Sequence, residues 1–170
     1  RVFASLQGQG AHNINLVTAA HFAPAVAEAL REYPPGIPVV YNSSGYETVE
    51  ALRSLEGLVD VYLPDYKFAD SETAGLLAGA PDYPEAALSA IREMRRQTGE
   101  AVFDADGLMV RGTLVRHLVL PGLTGASMRA LAALRDALPE DVRVSLMGQY
   151  TPYGQAKRIP GLDRPLLWRE

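Results

Sequence analysis

The sequence of 170 residues contains no cysteine. This absence excludes a disulfide framework, a thiol nucleophile and any thiolate metal site built from these residues. Long apolar runs are also missing, since no stretch reaches the ~18 consecutive apolar residues that a membrane-spanning helix needs. The 16 Lys and Arg are outnumbered by 20 Asp and Glu, for a net charge of −4. A strongly basic surface, typical of nucleic-acid-binding domains, is therefore absent, and we expect neither a nucleic-acid nor a membrane partner.

Several short catalytic signatures are missing too. The patterns HExxH, GxSxG and GxxxxGK[ST] do not occur. The glycines of LQGQGAH precede a predicted strand instead of following one, so they do not form a dinucleotide-binding fingerprint. The three histidines have no supporting cysteines and do not predict a zinc site. His12 and His117 lie in or beside apolar runs and are typical of core residues, whereas His21 opens a helix, a better position for function.

Five short apolar runs predict a parallel sheet, because such runs are typical of strands covered on both faces. The predicted strands are His12–Val17, Pro38–Asn42, Val59–Leu63, Leu114–Leu120 and Arg143–Met147. Between them, apolar residues at spacings of three and four predict amphipathic helices. These helices are Phe22–Glu32, Glu47–Leu55, Pro84–Gln97 and Met128–Leu138, with a further short helix near Glu72–Leu77.

The alternation of strands and helices predicts an α/β fold with right-handed crossovers. The length corresponds to about one domain, residues 1–170. The first residues read as the tail of a helix, and Asp106-Gly107 predicts a hairpin turn. Residues 153–170, rich in proline and glycine, are expected to form an extended C-terminal segment without regular structure.

Polar residues follow the predicted strands where ligands bind in parallel α/β proteins. Asp65 and Lys67 are the strongest candidate site residues. They are two residues apart on an extended segment, so their side chains point to the same face. They predict a preorganised polar pocket, and the alternative is a surface ion pair worth about 0–1 kcal/mol. Arg111 and Arg116 flank the start of the fourth strand. One of these side chains could bind a carboxylate or phosphate, and the alternative is that both are exposed to solvent without a function.

The segment Asn42-Ser43-Ser44-Gly45 supplies small donors and acceptors after the second strand. Free N–H groups at the following helix start suit an anionic group. The alternative is a structural cap, since Ser43 or Ser44 ahead of Glu47 resembles a capping box.

Six stretches occur along the chain in this order: NINLVTAAHF, VVYNSSGYETVEAL, DVYLPDYKF, APDYPEAALSAIREMRRQTG, RHLVLPG and SLMGQYTP. In combination and order they resemble the radical S-adenosylmethionine (radical SAM) family, and among its members the homologues of pyruvate formate-lyase activating enzyme. The resemblance covers nearly the whole chain.

The resemblance implies a parallel-stranded partial (β/α) barrel whose N-terminal strand is missing from this chain. It implies S-adenosylmethionine and a 4Fe–4S cluster as cofactors, the cluster being held by a CxxxCxxC loop. In that family the reduced cluster generates a deoxyadenosyl radical that abstracts hydrogen, a reaction that the cofactors perform and side chains alone cannot. A glycyl radical enzyme or another protein substrate, an electron donor such as flavodoxin or ferredoxin, and a cytoplasmic location are implied in the same way.

The resemblance also assigns binding residues at the first strands of this chain. Thr18 stands where many members have Gly-Gly-Glu for the methionyl amino group, a triplet this chain lacks. Asn42 and Ser43 match residues near the methionine carboxylate or ribose. Asp65 and Lys67 match an Asp-x-Lys beside the methionine moiety.

Three further cofactor-binding residues are implied at the later strands. His117 matches the strand near the adenosine, and Gln149 and Tyr150 match the last strand end, facing adenine or substrate. No catalytic residue and no metal ligand is assigned on this chain.

The missing cysteine loop is the large departure from the family, because thiolates hold the cluster. We expect CxxxCxxC upstream of Arg1 in a longer native protein, and no activity from these 170 residues alone. Two alternatives remain: a non-redox α/β barrel enzyme using Lys67 and Asp65, or a degenerate module that binds a nucleoside or a protein.

Overall fold

A computed structural model describes residues 1–170 and shows six strands. They are β1 (Ile14–Val17), β2 (Val39–Ser43), β3 (Val61–Pro64), β4 (Val102–Phe103), β5 (Met109–Leu118) and β6 (Arg143–Met147). The helices are α1 (Val2–Gly8), α2 (Ala23–Glu32), α3 (Val49–Arg53), α4 (Ser71–Ala78), α5 (Tyr83–Thr98) and α6 (Thr124–Ala137), with short 3-10 helices at Ala19–Phe22 and Gly154–Arg158.

The sheet is mostly parallel, as the sequence predicts. β1, β2, β3, β5 and β6 pair in chain order and in parallel, and β4 pairs antiparallel with β5 as the predicted hairpin. Because the order never reverses, the carboxyl ends of consecutive strands lie side by side along one edge. The molecule is therefore an α/β protein with a singly wound parallel sheet.

The helices pack on one face of this sheet. One buried cluster joins α2, α3 and α5 to Tyr41 and Tyr62, and a second joins α4, α5 and α6 to Val115. The opposite face is only partly covered, since Val17 is exposed and Leu63 and Leu114 are half-buried. Val40 and Val61 are buried on that face as well, so the expectation of strands covered on both faces holds there and fails at Val17. An apolar residue looks the same in sequence whether its face is covered or open.

The largest boundary difference is at β5, which begins at Met109 and not at the predicted Leu114. Helix α3 is shorter than predicted at both ends. The helix spans only Val49–Arg53, and its cap is Thr48, whose hydroxyl accepts a hydrogen bond from the Ala51 N–H at 3.1 Å. The predicted capping role of Ser43 or Ser44 is wrong. Their hydroxyls instead accept from backbone N–H groups two residues ahead, within the loop after β2.

The C-terminal segment is mostly irregular, as predicted, apart from the 3-10 helix at Gly154–Arg158. Glu170 tethers it, accepting from both Nη atoms of Arg164 at 2.7 Å and from the Gly122 N–H at 2.8 Å. None of the helices is both long and apolar enough to cross a bilayer.

Candidate functional site

Three neighbouring strands bring polar side chains together at their carboxyl ends. Asn42 belongs to β2, Asp65 directly follows β3, and Arg116 belongs to β5, where it forms a parallel bridge with Asp65. The pairing register places these residues on the face opposite Tyr41, Tyr62 and Val115, and therefore away from the helices. We call Asn42, Asp65, Lys67 and Arg116 the rim cluster.

Arg116, on β5, contacts side chains at the ends of both β2 and β3. Its Nη2 donates to the Asn42 side-chain oxygen at 2.7 Å and lies 2.8 Å from Oδ1 of Asp65. That second contact has the distance of an ion pair but not the geometry of a hydrogen bond, so Oδ1 accepts none. The Arg116 Nε is also buried without a partner. The cluster thus encloses a donor and an acceptor without hydrogen-bond partners, and a ligand would reach them only if these side chains moved.

Asp65 lies between two cations. The Lys67 ammonium donates to Oδ2 at 2.5 Å, while Arg116 lies at Oδ1. The side chains of Asp65, Arg116 and Lys67 are 18%, 27% and 42% exposed, so the group is partly withdrawn from water. Two positive charges against one negative charge leave the cluster with a formal charge of +1.

A cleft of about 210 Å³ opens beside these charges. Its polar lining consists of Asp65, Lys67 and Arg116, and its apolar lining of Phe68, Leu118, Leu120 and Met147. An apolar wall with a few convergent polar groups is typical of a small-molecule site. The arrangement suits a small ligand that carries a carboxylate, a balancing ammonium group and an apolar body.

The loop after β2 is packed tightly against the cluster. Gly45 has a φ of 76°, and a Cβ on it would overlap the Asp65 carbonyl oxygen. Tyr83, at the start of α5, contacts the backbone of Ser44, Asp65 and Lys67 through its hydroxyl. The sequence argument missed Tyr83, and the only signal for it was its place in the DYPEAA stretch.

The structure separates the two arginines that the sequence left open. Arg116 joins the rim cluster, whereas the Arg111 Nε donates to the Thr98 carbonyl at 2.8 Å, at the end of α5. Arg111 therefore stabilises a helix end and takes no part in the cleft.

Thr18 and Ser43 lie near the cluster without entering it. Thr18 directly follows β1 and lies in the left-handed region, with a φ of 55°, and its N–H donates to the Asn42 carbonyl at 2.9 Å. Ser43 is buried, and its hydroxyl accepts from the Gly45 N–H at 3.1 Å. The Thr18 backbone and the Ser43 side chain thus contribute to the local structure around Asn42.

His117 lies on the helix side next to the cluster, where it lines a small cavity together with Lys67, and no hydrogen bond joins Gln149 or Tyr150 to the cluster. His117 is buried on the helix face, with Nδ1 2.6 Å from the Tyr66 carbonyl and Nε2 2.9 Å from the Ser127 hydroxyl. Gln149 is exposed, and the Tyr150 hydroxyl donates to the Leu162 carbonyl at 2.8 Å. His12, by contrast with its predicted core position, is exposed.

The residues of this chain do not fit an iron–sulfur cluster. Cysteine is absent, and no group of three or more His, Asp or Glu side chains is placed to hold a metal ion. Thiolates are the usual ligands of such clusters. The rim cluster, with its mixed charges and unsatisfied donor, fits an amino acid-like ligand instead.

Comparison with known proteins adds one relative. No protein-family model matches the sequence. The chain is 28% identical over 148 residues to a protein of Methanocaldococcus jannaschii named Uncharacterized protein MJ0674. The alignment covers 86% of this chain and 39% of that protein, so the chain spans well under half the length of this relative. That name specifies no activity, and the functional argument therefore rests on the rim cluster.

Proposed function

We propose that this chain is the part of a radical SAM protein that binds the methionine end of S-adenosylmethionine. The observation that carries the proposal is the rim cluster, a network across the carboxyl ends of three adjacent parallel strands. Singly wound order is what a partial (β/α) barrel requires, and the carboxyl ends of such strands carry the active site. The motifs that resemble the radical SAM family contain all four members of the cluster.

The methionine end of the cofactor matches the charges of the cleft. Arg116 and Lys67 would hold the carboxylate, and Asp65 would hold the ammonium group. Phe68, Leu118 and Met147 would contact the apolar part and exclude water from it. When bound, S-adenosylmethionine supplies the sulfonium carbon that becomes a hydrogen-abstracting radical upon one-electron reduction.

The residues of this chain bind and orient in this proposal, and they do not ligate metal. Asp65 is fixed by its two cations before a ligand arrives, which lowers the entropic cost of binding. The cluster-binding CxxxCxxC loop would belong to residues outside these 170, in a longer cytoplasmic protein. A glycyl radical enzyme or other protein substrate and a flavodoxin or ferredoxin donor would act on that whole protein.

The non-redox alternative uses Lys67 as a Schiff-base nucleophile. An amine nucleophile needs a free lone pair. In the structure the Lys67 side chain is engaged in an ion pair with Asp65, which favours a binding role over attack on a carbonyl.

Calorimetric titration with S-adenosylhomocysteine tests the proposal, because this analogue keeps the amino acid end and needs no iron. We expect saturable binding to the 170-residue chain, competition by methionine, and weaker binding of adenosine alone. The same chain should take up no stoichiometric iron and show no iron–sulfur absorption after anaerobic reconstitution. Absence of any binding by S-adenosylhomocysteine and methionine would overturn the proposal, as would a stoichiometric cluster on this chain.

A further inference from the structure

The Tyr83 hydroxyl lies at the junction of the two loops that form the rim. It accepts a hydrogen bond from the Lys67 N–H at 3.0 Å. It also lies 2.8 Å from the Asp65 carbonyl and 2.9 Å from the Ser44 carbonyl, and it donates its single proton to these two acceptors. One side chain from α5 therefore contacts the backbone of both charged residues of the Asp65–Lys67 pair.

The Tyr83 ring is held in place by other aromatic rings. It is 3% exposed, and its centroid lies 6.4 Å from that of Tyr66 and 5.9 Å from that of Phe68. Burial raises the pKa of the Tyr83 hydroxyl well above its ordinary value, so the hydroxyl keeps its proton. A buried, neutral and rigid phenol can therefore hold the backbone of residues 65–67 in one position.

The backbone hydrogen bonds of residues 65–67 show how much of this segment depends on Tyr83. The Asp65 N–H donates to the Ser43 carbonyl and the Tyr66 N–H to the Arg116 carbonyl, and these bonds end the sheet. Beyond them, Tyr83 supplies the partner of the Lys67 N–H. Without the hydroxyl, this N–H would lose its partner, and Lys67 would no longer be fixed relative to Asp65.

We infer that Tyr83 is a positioning residue, which sets the Asp65 carboxylate and the Lys67 ammonium at the distance the ligand requires without touching the ligand. The inference rests on the proposed function for the identity of the ligand. Its geometric part, the control of the Asp65–Lys67 pair, does not depend on that identity, and the two parts are tested separately.

Chemical labelling tests the geometric part. Lysine occurs at two positions, Lys67 and the exposed Lys157, so Lys157 is an internal reference for amine acetylation measured by mass spectrometry. In Tyr83→Phe we expect Lys67 to react roughly two- to five-fold faster relative to Lys157, the range set by the loss of a partly exposed ion pair. The matched control is Tyr66→Phe, because the Tyr66 hydroxyl has no partner. An unchanged ratio in Tyr83→Phe, or an equal rise in both variants, would overturn the inference.

A double-mutant cycle tests the link to the ligand. We expect Tyr83→Phe to weaken S-adenosylhomocysteine binding by roughly 3- to 10-fold, the effect of about one hydrogen bond. In an Asp65→Asn background the same change should have little further effect, because the ion pair that Tyr83 positions is already gone. Additive losses would show that Tyr83 acts only through general stability, and would overturn the inference.

The outcomes separate the inference from the proposed function. If the wild type binds neither S-adenosylhomocysteine nor methionine but the labelling ratio rises, the proposed function fails and the positioning of Lys67 stands. If Tyr83→Phe is unfolded in thermal melts, 4-fluorophenylalanine at position 83 fills nearly the volume of the hydroxyl without donating, and the same two measurements decide. Binding in the wild type together with an unchanged labelling ratio leaves the proposed function intact and overturns the inference.

Discussion

Gly45 and Asp65 are packed backbone to backbone. A Cβ at position 45 would overlap the Asp65 carbonyl oxygen, the same oxygen that accepts from the Tyr83 hydroxyl. Gly45 also has a φ of 76°, a conformation in which side chains are strained. The loop after β2 and the end of β3 therefore fit together only if position 45 has no side chain.

Gly45→Ala should lower the free energy of unfolding by about 2–4 kcal/mol, combining left-handed strain with displacement of the Asp65 carbonyl. The matched control is Gly57→Ala. Gly57 has a φ of 78°, and a Cβ there would meet nothing within 4 Å. The control should cost only the conformational part, about 1–2 kcal/mol. Urea denaturation measures both values, and equal losses would contradict the close packing described here.

Asp65→Asn should weaken S-adenosylhomocysteine binding by about 10- to 150-fold, because one charge-assisted contact is worth about 1.5–3 kcal/mol. Thermal stability should change by less than about 1 kcal/mol, since the ion pairs are partly exposed. Asp136→Asn is the control, because Asp136 pairs with Arg135 on the surface, with side chains 65% and 77% exposed. Calorimetry and melting curves compare the variants. Equal affinities for wild type and Asp65→Asn would reduce the Asp65–Lys67 pair to a surface salt bridge.

The strands and the Asp65–Lys67 contact were predictable because both depend on local periodicity. β6 coincides with the predicted run Arg143–Met147, and two residues two apart on an extended segment share a face in any sheet. The open face of the sheet was not predictable in this way. A pattern of apolar residues indicates that a strand is buried, but it does not indicate which face of the sheet the helices cover.

The partner of Asp65 was not predictable from local pattern. Arg111 and Arg116 lie on the same strand, and only the pairing register, with Arg116 level with Asp65, decides which one reaches the cleft. Tyr83 is 18 residues from Asp65 in sequence and reaches it through the packing of α5. Such contacts depend on tertiary structure, which residue spacing does not report.

His117 offers a test of the candidate binding residues. A carbonyl oxygen only accepts, so Nδ1 carries the proton toward Tyr66, and Nε2 accepts from the Ser127 hydroxyl. Ser127→Ala removes that donor and leaves a buried nitrogen without a partner. We expect a loss of stability of about 1–3 kcal/mol and unchanged affinity for S-adenosylhomocysteine. Nitrogen NMR of the ring should report the Nδ1–H tautomer in the wild type. A clear loss of affinity in Ser127→Ala would place His117 in the ligand site.

Glu93 is a buried carboxylate on the helix face, away from the rim cluster. Its oxygens accept from Nε and Nη2 of Arg96 at 2.9 and 2.8 Å and from the Gln97 amide at 2.9 Å. Arg53 lies 3.8 Å away. The hydrogen bonds from Arg96, followed by those from Gln97, lower the pKa of Glu93 from 4.5 to about 2. These contacts connect the charge of one side chain to the stability of the α3–α5 contact.

The lowered pKa of Glu93 determines the direction of a pH effect. The unfolded chain takes up a proton near pH 4.5, whereas the folded chain does so only near pH 2. The stabilisation is therefore complete above about pH 4.5 and disappears as the pH falls toward 2. Glu93→Gln should lower the free energy of unfolding at neutral pH by about 1–3 kcal/mol and flatten its decline between those values. The control is Glu85→Gln, an exposed position in the first turn of the same helix, which should cost less than about 1 kcal/mol. Urea denaturation across this pH range decides, and a Glu93→Gln curve parallel to the wild type would show that another carboxylate governs acid unfolding.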